Sequence, residues 1–188
     1  MLEQLNFPAL WPYWPELLAG LGVTIQLTVL ATVGGVGLGI LGSALRSGQA
    51  SWASRLWGLY VEIIRNTPFV VQLFFIMFGL PNLGLKLTAG KAVLLVMLIN
   101  LGAYSTEIIR ANIQVTPKGQ WEASLCLSLR FGQILCWVIA PQAIRIAIAP
   151  TVGFAVQVIK GTALASIIGF IELTKAGTIF EQRNLPAV

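Results

Sequence analysis

Long stretches without charge alternate with short polar segments along the chain, and this pattern predicts helices that cross a membrane. No charged residue occurs from Leu17 to Leu45, and about 20 helical residues suffice to span about 30 Å of hydrocarbon. A second span comes in two parts, Leu56–Ile64 and Phe69–Leu80. Pro68 lies between them and lacks a backbone donor, so we expect a kink near Thr67.

The second half of the chain continues the pattern less clearly. A third span runs from Ala92 to about Ile109, and a polar interruption follows it. The apolar segments 131–144 and 146–159 then predict either one long tilted helix or two shorter ones, because only Arg145 separates them. A shorter apolar piece covers Ala163–Ile171. Hydropathy therefore predicts an all-α polytopic bundle, with about four spans of the required length.

Composition supports a single membrane domain. The 188 residues are 56% hydrophobic and 10% charged, with a mean hydropathy of +0.82, whereas soluble domains average about 25% charged residues. We place this domain at residues 17–188, after an extracytoplasmic segment of residues 1–16. That segment carries Glu3 and Glu16 and no basic residue, unlike a signal peptide. Its Trp11-Pro12-Tyr13-Trp14 run is typical of an aromatic anchor at the membrane interface.

The distribution of Lys and Arg predicts which side of the membrane each loop faces, since cytoplasmic loops are enriched in both. The basic residues that flank the first and third loops are Arg46, Arg55, Arg110, Lys118 and Arg130. The second loop has only Lys86 and Lys91. We therefore expect the first and third loops to be cytoplasmic and the N-terminus to lie outside.

The sequence offers little for catalysis. It contains no His and no Asp, which removes the commonest general base and the commonest metal ligand. Its two cysteines, Cys126 and Cys136, lie in or beside a segment expected in the cytoplasm, where disulfides are rare. The twelve Lys and Arg are scattered, unlike the clustered charges of nucleic-acid-binding proteins. We therefore expect no metal, no cofactor and no nucleic-acid partner.

One glycine-rich segment has two interpretations. Residues 37–42 match the dinucleotide-binding pattern G-x-G-x-x-G, but that pattern needs a strand before it and a helix after it. Here it lies within an apolar span. Gly35 and Gly39 instead favour helix–helix packing, because small residues spaced four apart allow two backbones to approach closely.

The polar interruption after the third span predicts a short helix at about residues 118–130. In such a helix Trp121, Leu125 and Leu129 share one face, and Glu122 lies on the neighbouring strip. The helix could lie along the membrane surface and bind a soluble partner. A plain connecting loop explains the same residues, and periodicity does not separate the two interpretations.

This stretch resembles the EAA segment of ABC importer permeases. Glu122-Ala123-Ser124 stands at the E-A-A position, and Pro141-Gln142-Ala143 with Arg145 is similar to the ending found in amino-acid permeases. Further segments are similar, in the same order, to the polar-amino-acid branch of that family: Arg65–Pro68, Val71–Phe75, Ala103–Arg110, Ile113–Gln114, Pro117–Gln120, Gly161–Leu164 and Glu172–Gly177. Ser128 stands where the family usually has glycine, so we expect the turn there to differ.

The resemblance implies a type I ABC importer permease in the bacterial inner membrane. Such a permease works with a second permease, identical or related, and with an ATPase pair that binds ATP and Mg²⁺. An extracytoplasmic solute-binding protein delivers a polar amino acid. The resemblance assigns ATPase coupling to the helix at 118–130, through Gly119, Trp121, Glu122, Ala123, Ser124, Leu125, Ser128 and Arg130. Family members have a fifth span, which we expect to be missing here, through truncation or in a shortened member.

Polar residues within spans are candidate substrate contacts, because they are costly in lipid. For Asn100 we expect a helix–helix hydrogen bond, and for Glu107 an ion pair with Arg110, three residues further along the helix. For Lys160 the alternative to a substrate contact is a side chain that extends to the membrane interface. The candidates for a substrate path or gate are Asn66, Thr67, Tyr104, Thr106, Glu107, Gln157, Lys160 and Thr162.

Two other classes of protein remain. A secondary transporter or channel subunit would move substrate without an ATPase and would carry internal inverted repeats, which we do not see. An intramembrane enzyme needs a nucleophile with a nearby base, and the missing His and Asp argue against one. We therefore predict a permease without a catalytic site, since the chain also has no G-x-x-x-x-G-K-[ST] ATP-binding motif.

Overall fold

A computed structural model describes residues 11–47 and 51–184. The regular structure in these two ranges is helical throughout. The α-helices are α1 (Trp14–Ser47), α2 (Trp52–Asn66), α3 (Phe69–Phe74), α4 (Ala89–Val115), α5 (Lys118–Cys126), α6 (Phe131–Gln133), α7 (Ala140–Thr162) and α8 (Leu173–Asn184). A π-helical turn, Phe75–Gly79, and a 3₁₀ turn, Leu80–Leu83, extend α3. A second π-helical turn, Ile134–Ile139, joins α6 to α7, and a 3₁₀ turn, Ala163–Ile168, extends α7.

Three of these helical runs are long and apolar enough to cross a membrane: Trp11–Ser47, Ala89–Val115 and Phe131–Ile168. The first two confirm the predicted first and third spans. The third run covers 38 residues without a break, so the two apolar segments on either side of Arg145 form one long helix. A fourth span results if α2 and α3 are counted together as one bent crossing.

The predicted kink is at the right position, Pro68, but the change in helix direction there is much larger than a kink. The axes of α2 and α3 differ by 109°, so the helix breaks and Pro68 becomes the N-cap of α3. A residue before proline avoids the helical conformation, and Thr67 is extended, with ψ at 129°. The side-chain amide of Gln72 donates to the carbonyl oxygens of Ile64 and Thr67, both at 2.8 Å. These bonds satisfy carbonyls that the break would otherwise leave unpaired.

Small residues allow α1 to lie directly against α4. Gly35 and Gly39 are buried in this contact. A Cβ atom added at Gly35 would come within 2.7 Å of Leu101 Cβ, and one at Gly39 within 2.9 Å of the backbone carbonyl carbon of Ser105. Real Cβ atoms do not approach so closely, because interiors are already packed to crystal-like density. This confirms the packing interpretation of the glycine-rich segment.

Two hydrophobic clusters lie on α4, one toward each of its ends. The first includes Leu73, Val93 and Met97, with residues of α1 and α7 around them. The second surrounds Ile109 and Ile139 and also contacts residues of the α5 region. The long helix α4 is therefore the common support for the other elements.

The N-terminus of α8 docks on α1 through a buried carboxylate. Glu172 is 1% exposed, and its oxygens accept hydrogen bonds from the backbone amides of Thr174 and Lys175 at 3.0 and 2.9 Å. The Thr24 hydroxyl on α1 donates to the same carboxylate at 3.5 Å and accepts from the amide of Leu173 at 3.2 Å. A negative charge is stabilised at a helix N-terminus, so Glu172 both caps α8 and holds it to α1.

The short helix after α4 is confirmed, but it ends earlier than predicted. It stops at Cys126, so Leu129 does not continue the face formed by Trp121 and Leu125. The Leu129 amide bonds to the Ser124 carbonyl at 3.2 Å and the Ser128 amide to the Leu125 carbonyl at 2.8 Å, the bonding pattern of a Schellman helix end.

Ser128 itself adopts the left-handed conformation, with φ at 59°. We expected its missing glycine freedom to change this turn. Instead the serine occupies the conformation that glycine favours, because the two turn hydrogen bonds and the packing of Leu129 against the second cluster hold it there. The cost is that of placing an L-residue at positive φ, about 1–2 kcal/mol.

The contact between α1 and α4 gives a matched pair of variants. We expect Gly39→Ala to cost about 1–3 kcal/mol, as overpacking does, and to lower the Tm of the detergent-solubilised protein. Gly37→Ala is the control, since nothing lies within 4 Å of its added Cβ. Equal Tm values for the two variants would contradict the close approach of the helices.

The turn after α5 gives a stabilising variant. Ser128→Gly should relieve the left-handed strain and stabilise the protein by about 1 kcal/mol, which corresponds to a rise in Tm of about 2–4 °C for a chain of this size. Ser128→Ala keeps the strain and should show no such rise. A Tm that falls in the glycine variant would show that the turn is not at positive φ.

Candidate functional site

A cavity of about 580 Å³ opens between the α2–α3 break, the middle of α4 and the C-terminal half of α7. Its size lies within the range of about 300–1,000 Å³ typical of ligand pockets. The residues that line it are Arg65, Asn66, Thr67, Pro68, Phe69, Met97, Asn100, Tyr104, Phe154, Gln157, Val158, Lys160, Gly161 and Leu164.

The break between α2 and α3 places polar groups on the cavity wall. Asn66, Thr67 and Pro68 form the non-helical connection there. Asn100, on α4, donates a hydrogen bond from its amide to Gln72 Oε1 at 3.2 Å, which confirms the predicted helix–helix bond. Because Gln72 also binds the carbonyls on either side of the break, Asn100 holds the break against the centre of α4.

Aromatic rings form the neighbouring part of the wall. Tyr104 stacks on Phe154 of α7, with ring centroids 4.2 Å apart. The guanidinium of Arg65 lies over the Tyr104 ring, with Cζ 5.5 Å from the centroid. A cation over an aromatic face is attracted to the negative side of the ring. This contact joins α2 to α4 across the cavity.

A second, smaller cavity of about 360 Å³ adjoins the first and shares Arg65, Asn66 and Tyr104 with it. Arg46, Glu62 and Glu107 also line this second cavity. Its wall is mostly charged and polar, whereas the first cavity combines polar groups with aromatic and aliphatic ones.

The predicted ion pair between Glu107 and Arg110 is confirmed, with the Arg110 Nε also donating to Glu107 Oε2 at 3.2 Å. Sequence reasoning missed a second partner. Arg46, at the end of α1, donates to the same carboxylate at 2.8 Å. No sequence spacing could indicate this contact, because it joins residues that are close only when α1 packs on α4. Glu107 therefore links α1 to α4 and is held by two guanidinium groups.

The structure brings together five of the eight residues predicted for a substrate path, all on the wall of the first cavity: Asn66, Thr67, Tyr104, Gln157 and Lys160. Glu107 lines only the second cavity.

The two remaining threonines do not line either cavity. Thr106 is buried, where its hydroxyl accepts from Trp57 Nε1 at 3.2 Å and donates to the Gly102 carbonyl at 2.7 Å. Thr162 is also buried and donates to the Ile159 carbonyl at 2.7 Å. Arg65 and Phe154 line the first cavity without having been predicted to do so. The sequence did offer a signal for Arg65, because it belongs to the segment Arg65–Pro68, which is similar to a segment of the permease family.

Helix α5 has an inner side tied to the rest of the chain. Trp121 is half-buried and stacks on Phe131 of α6, with centroids 5.9 Å apart. Ser124 is buried, and its hydroxyl donates to the Gln120 carbonyl at 2.7 Å. Gln142 of α7 lies 3.4 Å from Gln120, amide nitrogen to amide oxygen. These contacts fix α5 to the beginning of the long helical run Phe131–Ile168.

The outer side of α5 is open. Leu125 is 61% exposed and Leu127 75%, and Gly119, Glu122 and Ala123 are also exposed. Arg130 is exposed too, and Glu122 makes no ion pair with it or with any other residue in the described ranges. The residues predicted for ATPase coupling thus divide between an inner set, Trp121 and Ser124, and an outer set.

Comparison with known proteins places these features in a family. A sequence model of the family described as "Binding-protein-dependent transport system inner membrane component" matches residues 35–184. That range includes α5 and every residue that lines the two cavities.

Curated relatives match over nearly the whole chain. The L-cystine transport system permease protein of Bacillus subtilis is 36% identical over 176 residues, which cover 94% of this chain and 75% of the relative. The glutamine transport system permease protein of Escherichia coli K12 is 35% identical over 176 residues, covering 93% of this chain and 80% of the relative.

Solved structures share the fold. The structure of an amino acid ABC transporter with histidines aligns at a TM-score of 0.87 and 33% identity, over 95% of this chain and 84% of that chain. An inward-facing structure of the MetNI methionine ABC transporter aligns at a TM-score of 0.74 and 20% identity, over 98% and 87% of the two chains. With the family match extending from the second half of α1 to the end of α8, the chain belongs to the inner-membrane components of binding-protein-dependent transport systems, as a permease subunit of an amino-acid ABC importer.

Proposed function

We propose that this permease imports polar amino acids and that α5 couples it to a partner ATPase. The observation that carries the proposal is the division of α5 into a fixed inner side and an open outer side. The outer side offers an exposed leucine, Leu125, beside the carboxylate of Glu122, which has no ion-pair partner in the described ranges. An apolar anchor next to an unpaired charge suits a groove with an apolar floor and a basic rim.

The contacts on the inner side of α5 connect a displacement of this helix to the cavity wall. Trp121 and Gln120 contact Phe131 and Gln142, which belong to the 38-residue helical run Phe131–Ile168. The far part of this run carries Gln157 and Lys160 on the cavity wall. The run is continuous through its π-helical turn and Pro150, so displacement of α5 by ATPase closure would move one wall of the cavity.

The placement of Trp121 changes the role that we give it. The resemblance assigned both Trp121 and Leu125 to ATPase coupling. Trp121 is already half-buried against its own chain, so it serves mainly to position α5, and of the two, Leu125 remains available to a partner.

The first cavity supports a path for a small polar substrate. It combines amide side chains, Asn66 and Gln157, with the aromatic surface of Tyr104 and Phe154. A few placed polar groups within an apolar wall are typical of small-molecule sites. Two relatives are named for transport of L-cystine and glutamine, which are both polar amino acids.

The remaining partners follow from the family and from the distribution of charge. An ATPase pair hydrolyses ATP with Mg²⁺, a second permease completes the transmembrane unit, and an extracytoplasmic solute-binding protein delivers the amino acid. With the basic residues concentrated around the first and third loops, α5 lies in the cytoplasm and the N-terminus outside.

Coupling is tested on the outer side of α5. In vesicles that contain the whole importer, Leu125→Ala should weaken retention of the ATPase by about tenfold or more, the loss expected when an interface anchor is truncated. Glu122→Ala should lower the ATP hydrolysis that is stimulated by the loaded binding protein. Neither should change the affinity of that protein for its amino acid, because the binding protein docks on the other side of the membrane.

Leu83→Ala is a matched control, since Leu83 is 72% exposed and lies in the second loop. It should retain the ATPase like the wild type. Wild-type ATPase retention, hydrolysis and uptake in both α5 variants would contradict coupling through this helix. Uptake that persists without any ATPase would instead support a secondary transporter or channel.

The orientation is tested by cysteine labelling in a chain in which both native cysteines are serine. A membrane-impermeant maleimide should label Gly119→Cys only in inside-out vesicles and Lys86→Cys only in right-side-out vesicles. The reason is that the loops with more Lys and Arg, here the first and third, face the cytoplasm. Both positions are exposed, and omission of the ATPase keeps Gly119 uncovered. The reverse pattern would overturn the orientation.

A further inference from the structure

The charged groups that line the first cavity all carry the same sign. Arg65 lies at the end of α2 and Lys160 near the end of α7. Three amides accompany them, from Asn66, Asn100 and Gln157, and the described residues place no carboxylate on this wall. The wall is therefore positive.

Neither cation forms an ion pair in the ranges that the structure describes. Arg65 lies over the Tyr104 ring and interacts at longer range with the Glu107 carboxylate, which Arg46 and Arg110 already bind. Both side chains are exposed, so an anionic group that enters the cavity would be free to pair with them. Attraction between opposite charges is stronger there than in bulk water, because the surroundings have a lower dielectric constant.

The carboxylates of Glu62, Glu107 and Glu172 either have partners already or lie outside the first cavity. Glu107 faces the second cavity, where Arg46 and Arg110 hold it. Glu62 also lines the second cavity and not the first. Glu172 is buried at the start of α8, where it caps the helix. None of the three belongs to the wall that Lys160 lines.

We propose that the first cavity selects amino acids that carry no net positive charge, with the substrate carboxylate held by Lys160 and Arg65. This inference rests on the proposed substrate path through the same cavity. The amides of Asn66 and Gln157 bind the polar or acidic end of the substrate side chain, since each amide both donates and accepts. A lysine or arginine substrate would bring a further cation against two others, and like charges brought together oppose binding strongly.

The test measures binding to the complete permease–ATPase complex in detergent, without the solute-binding protein, so that only the membrane domain selects. The probes are L-glutamine, L-glutamate and L-arginine, with the amine that lacks the α-carboxylate of glutamine as a fourth. The wild type should bind glutamine or glutamate at least about tenfold more tightly than arginine. The amine should bind the wild type at least about tenfold more weakly than glutamine does. Glutamine should bind the Lys160→Gln variant at least about tenfold more weakly than the wild type. Each change removes one member of a charge pair.

Two matched variants separate charge selection from general damage. Lys91→Gln removes an exposed lysine outside the cavity and should bind as the wild type does. Glu62→Gln should leave the preference unchanged, because its carboxylate lies in the second cavity. In Lys160→Glu the preference should turn toward arginine, a gain that a misfolded protein would not show.

Arginine binding as tight as glutamine binding in the wild type would overturn the inference, as would an unchanged preference in Lys160→Glu. ATP-dependent uptake is measured on the same preparation after reconstitution with the binding protein. It distinguishes failure of charge selection in the first cavity from failure of the proposed importer function. Uptake without charge selection in the cavity would overturn only this inference. Absence of any ATP-driven amino-acid uptake would overturn the proposed function itself.

Discussion

A membrane domain tolerates an interrupted helix only where the freed backbone groups find partners inside the protein. Gln72 provides them at the break between α2 and α3, since its amide nitrogen binds two carbonyls and its oxygen accepts from Asn100. One side chain thus satisfies the break and holds it against the centre of α4. The first cavity depends on this arrangement, because the residues of the break form part of its wall.

The long helix α4 organises the remaining contacts. Its glycine-lined contact with α1 lets Arg46 reach Glu107, and its other faces carry the aromatic contact with α7 and the hydrogen bond from Tyr60 of α2 to the Ile99 carbonyl. Close packing of this kind transmits displacement rather than absorbing it, since a dense interior has little room to deform. A motion imposed on α5 and the run Phe131–Ile168 would therefore displace the cavity wall.

In the proposed mechanism, energy input and specificity are separated. A partner ATPase would supply the ATP chemistry, and the permease would receive the motion at α5 and select the substrate at the cavity. One helical run, Phe131–Ile168, contacts α5 at its beginning and lines the cavity further along. That continuity allows one conformational change to serve both, in the manner of two-state transitions in which rigid elements move as units.

The sequence alone determined the membrane class, the first and third spans, the place of the break and the family motifs, because hydropathy and proline chemistry act locally. It left open whether residues 131–159 form one helix or two and whether the segment after α4 is a helix or a loop. Tertiary structure decided the rest. The pairing of Arg46 with Glu107, the capping of the break by Gln72 and the joint placement of Arg65 and Lys160 connect residues distant in sequence. Similarly, the left-handed Ser128 and the 109° bend depend on packing and hydrogen bonds that override local preference, which no periodicity records.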